Sequence, residues 1–280
     1  LLINCIWFPF PTLLAQIIQN PVFDAPEQDC FQAIPLCSNS YSQEDYFIGF
    51  GTDLEVFPFN SCLESGEMNN TWYVFSIKQG GNLGFTINPD GDADFALWDI
   101  TYIGCSQIAQ TPPDRCNYSD ANGPTGLTPN NATTGNLSYG NGQPSMMPGL
   151  VVQAGHTYAL LINVLLPNPF SYDGYTINFN GSAQINNNGG TPPSFDVVGC
   201  STDQPLIAVM GAPVACNSIQ ASDFSMNGGT ITSVVPLECN GNSTTLVQLN
   251  YTLSGGTTGV TVSANGLTDL CGNNISGTRP

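Results

Sequence analysis

Hydrophobic and polar residues alternate with a period of two along most of this chain, and no long stretch repeats at helical spacing. Tyr73, Phe75 and Ile77 fall on one face of a strand, and Leu83, Phe85 and Ile87 on one face of the next, with Gly80-Gly81 as the turn between them. Tyr158, Leu160, Ile162 and Val164 alternate in TYALLINVLL, while the opposite positions Ala159, Leu161 and Leu165 are also apolar. That pattern predicts a central strand covered on both faces. Tyr175, Ile177 and Phe179 alternate instead with Thr176, Asn178 and Asn180, the pattern of a strand with one wet face.

The segment from Thr111 to Gly149 is rich in Pro, Gly, Asn and Thr and carries almost no strand signal, so it is expected to be a long functional or poorly ordered loop. GSAQINNNGGTPPS (Gly181 to Ser194) reads as a linker. After it, short apolar runs at Pro205 to Met210, Ile231 to Val235, Val247 to Leu253 and Val260 to Ala264 have the spacing of a β-sandwich. The predicted fold class is all-β: a jelly-roll-like β-sandwich over 29–185, a linker at 186–194, and a smaller Ig-like β-sandwich over 195–280. Ahead of these lies an N-terminal segment, 17–28.

Residues 1–16, LLINCIWFPFPTLLAQ, look like the apolar part of an export signal without its Met and basic start. The run is too short to span a bilayer. A buried first strand is the alternative, weakened by two prolines; a lipoprotein reading of Cys5 is rejected because Asn4 stands where a small residue belongs.

Charge narrows the partners. The formal charge is -18, from 21 acidic and only three basic residues, Lys78, Arg115 and Arg279. Nucleic acid and anionic membrane surfaces need a basic patch and are excluded on that ground. Sixteen of the acids precede residue 193 and five follow it.

Nine cysteines remain after the signal, and their spacing fits no zinc motif, so disulfides are expected. The last four allow three connectivities, with Cys200–Cys239 and Cys216–Cys271 preferred. In the first group Cys105 with Cys116 would close a local loop, and Cys62 would pair with Cys37 or Cys30. One cysteine is left over, and the partner of Cys30 stays open.

Several motifs in order (DCFQAIPLC, CLESGEMNNTWYVF, GNLGFTINPDGDADFALWDI, RCNYSDANGPTGL, AGHTYALLIN and GYTINFNGSA) resemble the N-terminal jelly-roll-like domain of large secreted gliding-motility-type proteins of Bacteroidota. A more distant likeness is to bacterial pre-peptidase C-terminal domains. The region from Pro193, with GAPVACNSIQASDFSMNGG and LTDLCGNNI, is similar to a bacterial Ig-like domain of the surface-layer type. The resemblance implies a signal-bearing, type IX-secreted, multidomain surface protein, of which this chain would be a part truncated at both ends.

Chemistry is sparse. The one histidine, His156, sits in AGHTY without a GxSxG turn, and reads as an exposed turn residue. HExxH, Walker A and GxGxxG patterns are absent. Glu64 and Glu67 are the nearest pair for glycoside hydrolysis, in a solvated turn. No catalytic residue is assigned. Asp90, Asp92 and Asp94 in NPDGDADFALWD are a candidate calcium site, though not an EF-hand, since Phe95 and Thr101 stand at its positions six and twelve. Trp72 and Trp98 are read as core residues, with an exposed sugar-binding platform as the alternative. The resulting expectation is a non-catalytic extracellular module for adhesion or ligand binding, with glycan, protein or a surface as partner and no membrane insertion of the mature chain. The alternatives are a disulfide-braced spacer and an accessory region of a secreted protease or glycoside hydrolase.

Overall fold

The computed structural model describes residues 22–23, 25–44, 47–165, 174–186, 195–198, 205–237, 239, 243–255 and 260–279. The segment 1–16 expected to be an export signal, including Cys5, residues 17–21 and 24, Cys200 and linker residues 187–194 lie outside the described residues.

The described chain is all-β, built as two sandwiches. In the first, a seven-stranded sheet runs Leu137–Tyr139, Arg115–Asn117, Asp92–Asp99, Thr157–Leu165, Asn70–Gln79 and Gln184–Ile185, with Ile34–Pro35 added beside Asn70–Gln79. A five-stranded sheet, Met146–Val152, Thr125–Thr133, Gly81–Pro89, Tyr175–Gly181 and Ser40–Gln43, packs against it. The period-two residues meet between the sheets: Tyr73, Phe75, Phe95, Leu97, Leu160 and Ile162 from one face Leu83, Phe85, Ile87, Leu127 and Ile177 from the other. Gly80 and Gly81 carry the chain from one sheet to the other rather than closing a hairpin within one.

Thr157–Leu165 is central, paired with Asp92–Asp99 and Asn70–Gln79. Its second apolar face belongs to a separate core, where Ala159 and Leu161 join Trp72, Ala96, Trp98, Ile108 and Leu63 on the outside of the seven-stranded sheet. Trp72 and Trp98 are therefore buried, their rings 5.5 Å apart, and do not form an exposed platform. The cover over them is irregular chain around 50–68 and the 3-10 helix Cys105–Gln110.

The expected loop over 111–149 is overturned. It contains the strands Arg115–Asn117, Thr125–Thr133, Leu137–Tyr139 and Met146–Val152. The chain passes from one sheet to the other and back, through parallel pairings 115–117 with 137–139 and 126–128 with 146–148. Few apolar side chains mark these strands because much of their hold is polar. Arg115, with no exposed surface, donates to the carbonyl oxygens of Asp114, Thr133, Gly135, Pro148 and Gly149 at 2.5–3.1 Å. One planar guanidinium thus gathers the carbonyls of three irregular segments around itself, Asp114 O accepting from Leu137 N–H as well.

The second sandwich sets Phe195–Val198, Leu206–Ala215, Ser243–Leu253 and Gly229–Pro236 against Phe224–Asn227, Thr261–Thr268 and Asn274–Arg279. Its core contains Phe195, Met210, Val214, Val247, Leu249, Val262 and Ile275. It also covers part of the first sandwich's outer face. Thr244, Thr245 and Pro213 close over Val74, Ala159 and Cys30, leaving a gap of about 40 Å³. Asn186, the first residue of the expected linker, is buried in this junction: its N–H donates to Ser76 O (2.8 Å) and its Nδ2 to Asp269 Oδ2 (2.8 Å).

The disulfides correct the expected pairings. They are Cys30–Cys105, Cys62–Cys116, Cys37–Cys271 and Cys216–Cys239. Cys105 and Cys116 do not close a local loop, because Cys116 lies opposite Ala96 on the outer face and meets Cys62, while Cys105 opens the 3-10 helix that reaches Cys30. Two bridges therefore fasten the cover over Trp72 and Trp98. Cys239 takes Cys216 rather than Cys200, and Cys271 crosses to Cys37 in the other sandwich. Spacing along the chain gave no hint of that last bridge, since it joins positions 234 residues apart.

Candidate functional site

The outer face of the seven-stranded sheet gathers the polar groups that the chain offers for binding. At its edge the turn Phe57 to Asn60 is locked by Asn60, whose Oδ1 accepts from Phe57 N–H (2.9 Å) and whose Nδ2 donates to Ala109 O (2.8 Å). This turn lifts Phe59 into solvent, 82% exposed, with its ring stacked on Phe57 at 5.2 Å. Beside it runs an open cleft of about 390 Å³, whose far wall is Gln110, Pro112, Pro113 and Ser138. That wall is braced as well. Asn136 Nδ2 donates to the carbonyls of Pro112 and Pro113 (3.1 and 2.8 Å), and the Cys62–Cys116 bridge ties the floor to the sheet. No charged side chain lines the cleft. A fixed aromatic face beside amides and hydroxyls suits an uncharged polar ligand with apolar C–H edges.

Under the cover, Glu67 does not pair with Glu64, which is exposed. It meets Glu55. Glu67 Oε1 accepts from Trp72 Nε1 (3.2 Å), its Oε2 accepts from Glu55 N–H (3.3 Å), and Glu55 Oε1 accepts from Cys30 N–H (2.9 Å). Burial pushes both carboxyls well above the ordinary range, and the charge of Glu55 pushes Glu67 further. Glu67, raised the further of the two, is the group that keeps its proton, while Glu55 Oε2 is buried and meets no hydrogen-bond partner.

The three aspartates separate. Asp90 is exposed and edges a different open cleft, of about 400 Å³, with Gln43, Asn88, Tyr175 and Thr176. Asp92 and Asp94 project together from the outer face at the start of the Asp92–Asp99 strand. Burial, then the neighbouring Asp92, pushes Asp94 up to about 8. Among the described residues no three acidic, His or Cys side chains are already gathered around one point as a metal cage.

At the other end of the same strand, His156 is not an isolated turn residue. Its Nδ1 lies 2.5 Å from Asp99 Oδ2, while Asp99 N–H donates to Asp114 Oδ2 at 2.8 Å. Sequence spacing did not suggest this pair; the register that sets Tyr158 opposite Asp99 creates it. No helix among the described residues is long and apolar enough to cross a membrane. Comparison of the chain with protein-family models, with curated proteins and with solved structures gave no match.

Proposed function

We propose that this chain is a non-catalytic extracellular binding module, secreted or cell-surface, that recognises neutral glycan through the Phe59 cleft. The observation that carries this reading is Phe59 itself, a large ring held almost fully in water by a braced turn, where apolar burial would otherwise be favoured. The uncharged lining and a net charge of -18 argue against anionic ligands. Four disulfides support an oxidising compartment. The likeness to gliding-motility-type surface proteins of Bacteroidota fits an adhesive role and stands on the quoted motifs alone.

A neutral-glycan array probed with the disulfide-intact chain tests this. Binding that Phe59→Ala abolishes, with an unchanged melting curve, supports the reading. An array on which the wild-type chain binds nothing removes it and leaves the second reading, a structural spacer, which the Cys37–Cys271 bridge between the two sandwiches favours.

A further inference from the structure

Asp92 and Asp94 occupy the same face of one strand, two residues apart, so their carboxylates stand side by side. Asp94 is only 8% exposed. In each carboxylate Oδ1 is sealed from solvent and receives no hydrogen bond. Their neighbours do not supply one. Across the ladder from Asp94 is Asn163, and beyond it Asn70. Asn163 Nδ2 donates to Gly66 O (2.7 Å) and Asn70 Nδ2 to Gln28 O (2.9 Å), so both amides are turned to the covering chain instead.

No cationic side chain neutralises the pair either. Arg115 is engaged by backbone carbonyls and Arg279 lies 3.5 Å from Asp196 in the other sandwich. Two unpartnered carboxylate oxygens out of water, on neighbouring side chains, are costly unless a proton or a cation completes them, and a cation can complete both at once. A third acid stands close: Asp120 acts on Asp92 electrostatically, and its loop is clamped to the turn before Asp92 by Gly123 N–H donating to Gly91 O at 2.9 Å.

We infer that Asp92 and Asp94 bind a calcium ion at the entrance of the Asp92–Asp99 strand, with Asp120 joining directly or through water. The donor set is all oxygen, which selects a hard cation, and calcium tolerates irregular coordination completed by water where magnesium demands a near-ideal octahedron. Zinc is disfavoured because His156 is at the far end of the strand and Cys116, the nearest cysteine across the ladder, is bridged. Asp90, on another surface, takes no part. The inference is independent of the glycan reading.

The test uses the full disulfide-intact chain after chelation. Calorimetric titration with calcium chloride should show one site, and a hundredfold excess over the dissociation constant should raise the melting temperature by about 5 °C or more. Magnesium should do much less. Asp94→Asn and Asp92→Asn should each abolish most of the rise, while calcium-free Asp94→Asn melts no lower than the calcium-free wild type, since a neutral amide replaces a buried carboxyl whose Oδ1 has no hydrogen-bond partner. Phe59→Ala should keep the rise in full. Wild-type protein that takes up no calcium at millimolar concentration overturns the inference, as does a rise that survives in both aspartate variants.

Discussion

Glu67 Oε2 accepts from the backbone N–H of Glu55 beneath the cover of the first sandwich, with Trp72 Nε1 donating to Glu67 Oε1 and Cys30 N–H to Glu55 Oε1. Because burial raises both, the folded chain holds a proton that the unfolded chain releases above its ordinary value of 4.5. The folded state therefore binds more protons, and stability falls as pH climbs from about 4.5 through neutrality, by up to about 1.4 kcal/mol per pH unit for one proton. Glu67→Gln keeps an acceptor for Trp72 and removes the titrating proton, while losing the acceptor for Glu55 N–H. Urea unfolding at pH 5, 7 and 9 should show a flatter decline in the variant; equal slopes would refute a proton held by Glu67.

Removing the bridge between the sandwiches should be felt by both. The double variant Cys37→Ser, Cys271→Ser should lose about 2–4 kcal/mol. Peptide mapping of the unreduced wild type should recover the pair 37–271, together with 30–105, 62–116 and 216–239. A peptide linking Cys105 to Cys116 would contradict the structure.

Arg115 holds a region that has little else to hold it. Arg115→Met takes the guanidinium donor from five carbonyls, of which Asp114 O keeps Leu137 N–H, and should cost at least about 3 kcal/mol. Arg115→Lys should recover little, because an ammonium carries three donors on one atom and cannot span acceptors set around a plane. Limited proteolysis should open the chain first between residues 118 and 145. Full rescue by lysine would show that charge alone matters.

Close approach of two strands makes a sharper demand at Gly126. It lies opposite Thr86 with φ of 142°, and a Cβ there would stand 2.2 Å from Phe85 O. Gly126→Ala should destabilise by about 2 kcal/mol or more, read from the denaturation midpoint. A midpoint equal to wild type would mean the strands can part without loss.

The strands of the main core were legible in the sequence because their side chains alternate, and the doubly apolar pattern of Tyr158 to Ile162 announced a sheet covered on both faces, whereas Leu165, expected on the same second face, is 50% exposed at the strand's end. The strands between 115 and 152 were not, because Thr125–Thr133 reads TGLTPNNAT and is held by backbone pairing and one buried guanidinium. Arg115 had a faint signal: it is one of three basic residues, and it sits in a run of residues that become strand. The cysteine pairs were misread because proximity along the chain says nothing about which side of a sheet a residue faces. The aspartate triplet was read as a unit, yet the turn at Gly91 sends Asp90 to another surface. Phe59 carries no pattern that distinguishes it from a core phenylalanine; only the turn around Asn60 does.

The Cys37–Cys271 bridge also decides how the chain carries mechanical load. Residues 38–270 lie inside the covalent loop that it closes. Tension applied upstream of Cys37 and downstream of Cys271 passes through the sulfur link, so residues 38–270 carry none of it while the bridge is intact. Only strands outside the loop, Ile34–Pro35 and Asn274–Arg279 among them, can be stripped from their sheets by pulling. Reduction of that one bond would put the enclosed strands under load, except where the Cys30–Cys105, Cys62–Cys116 and Cys216–Cys239 bridges close smaller loops.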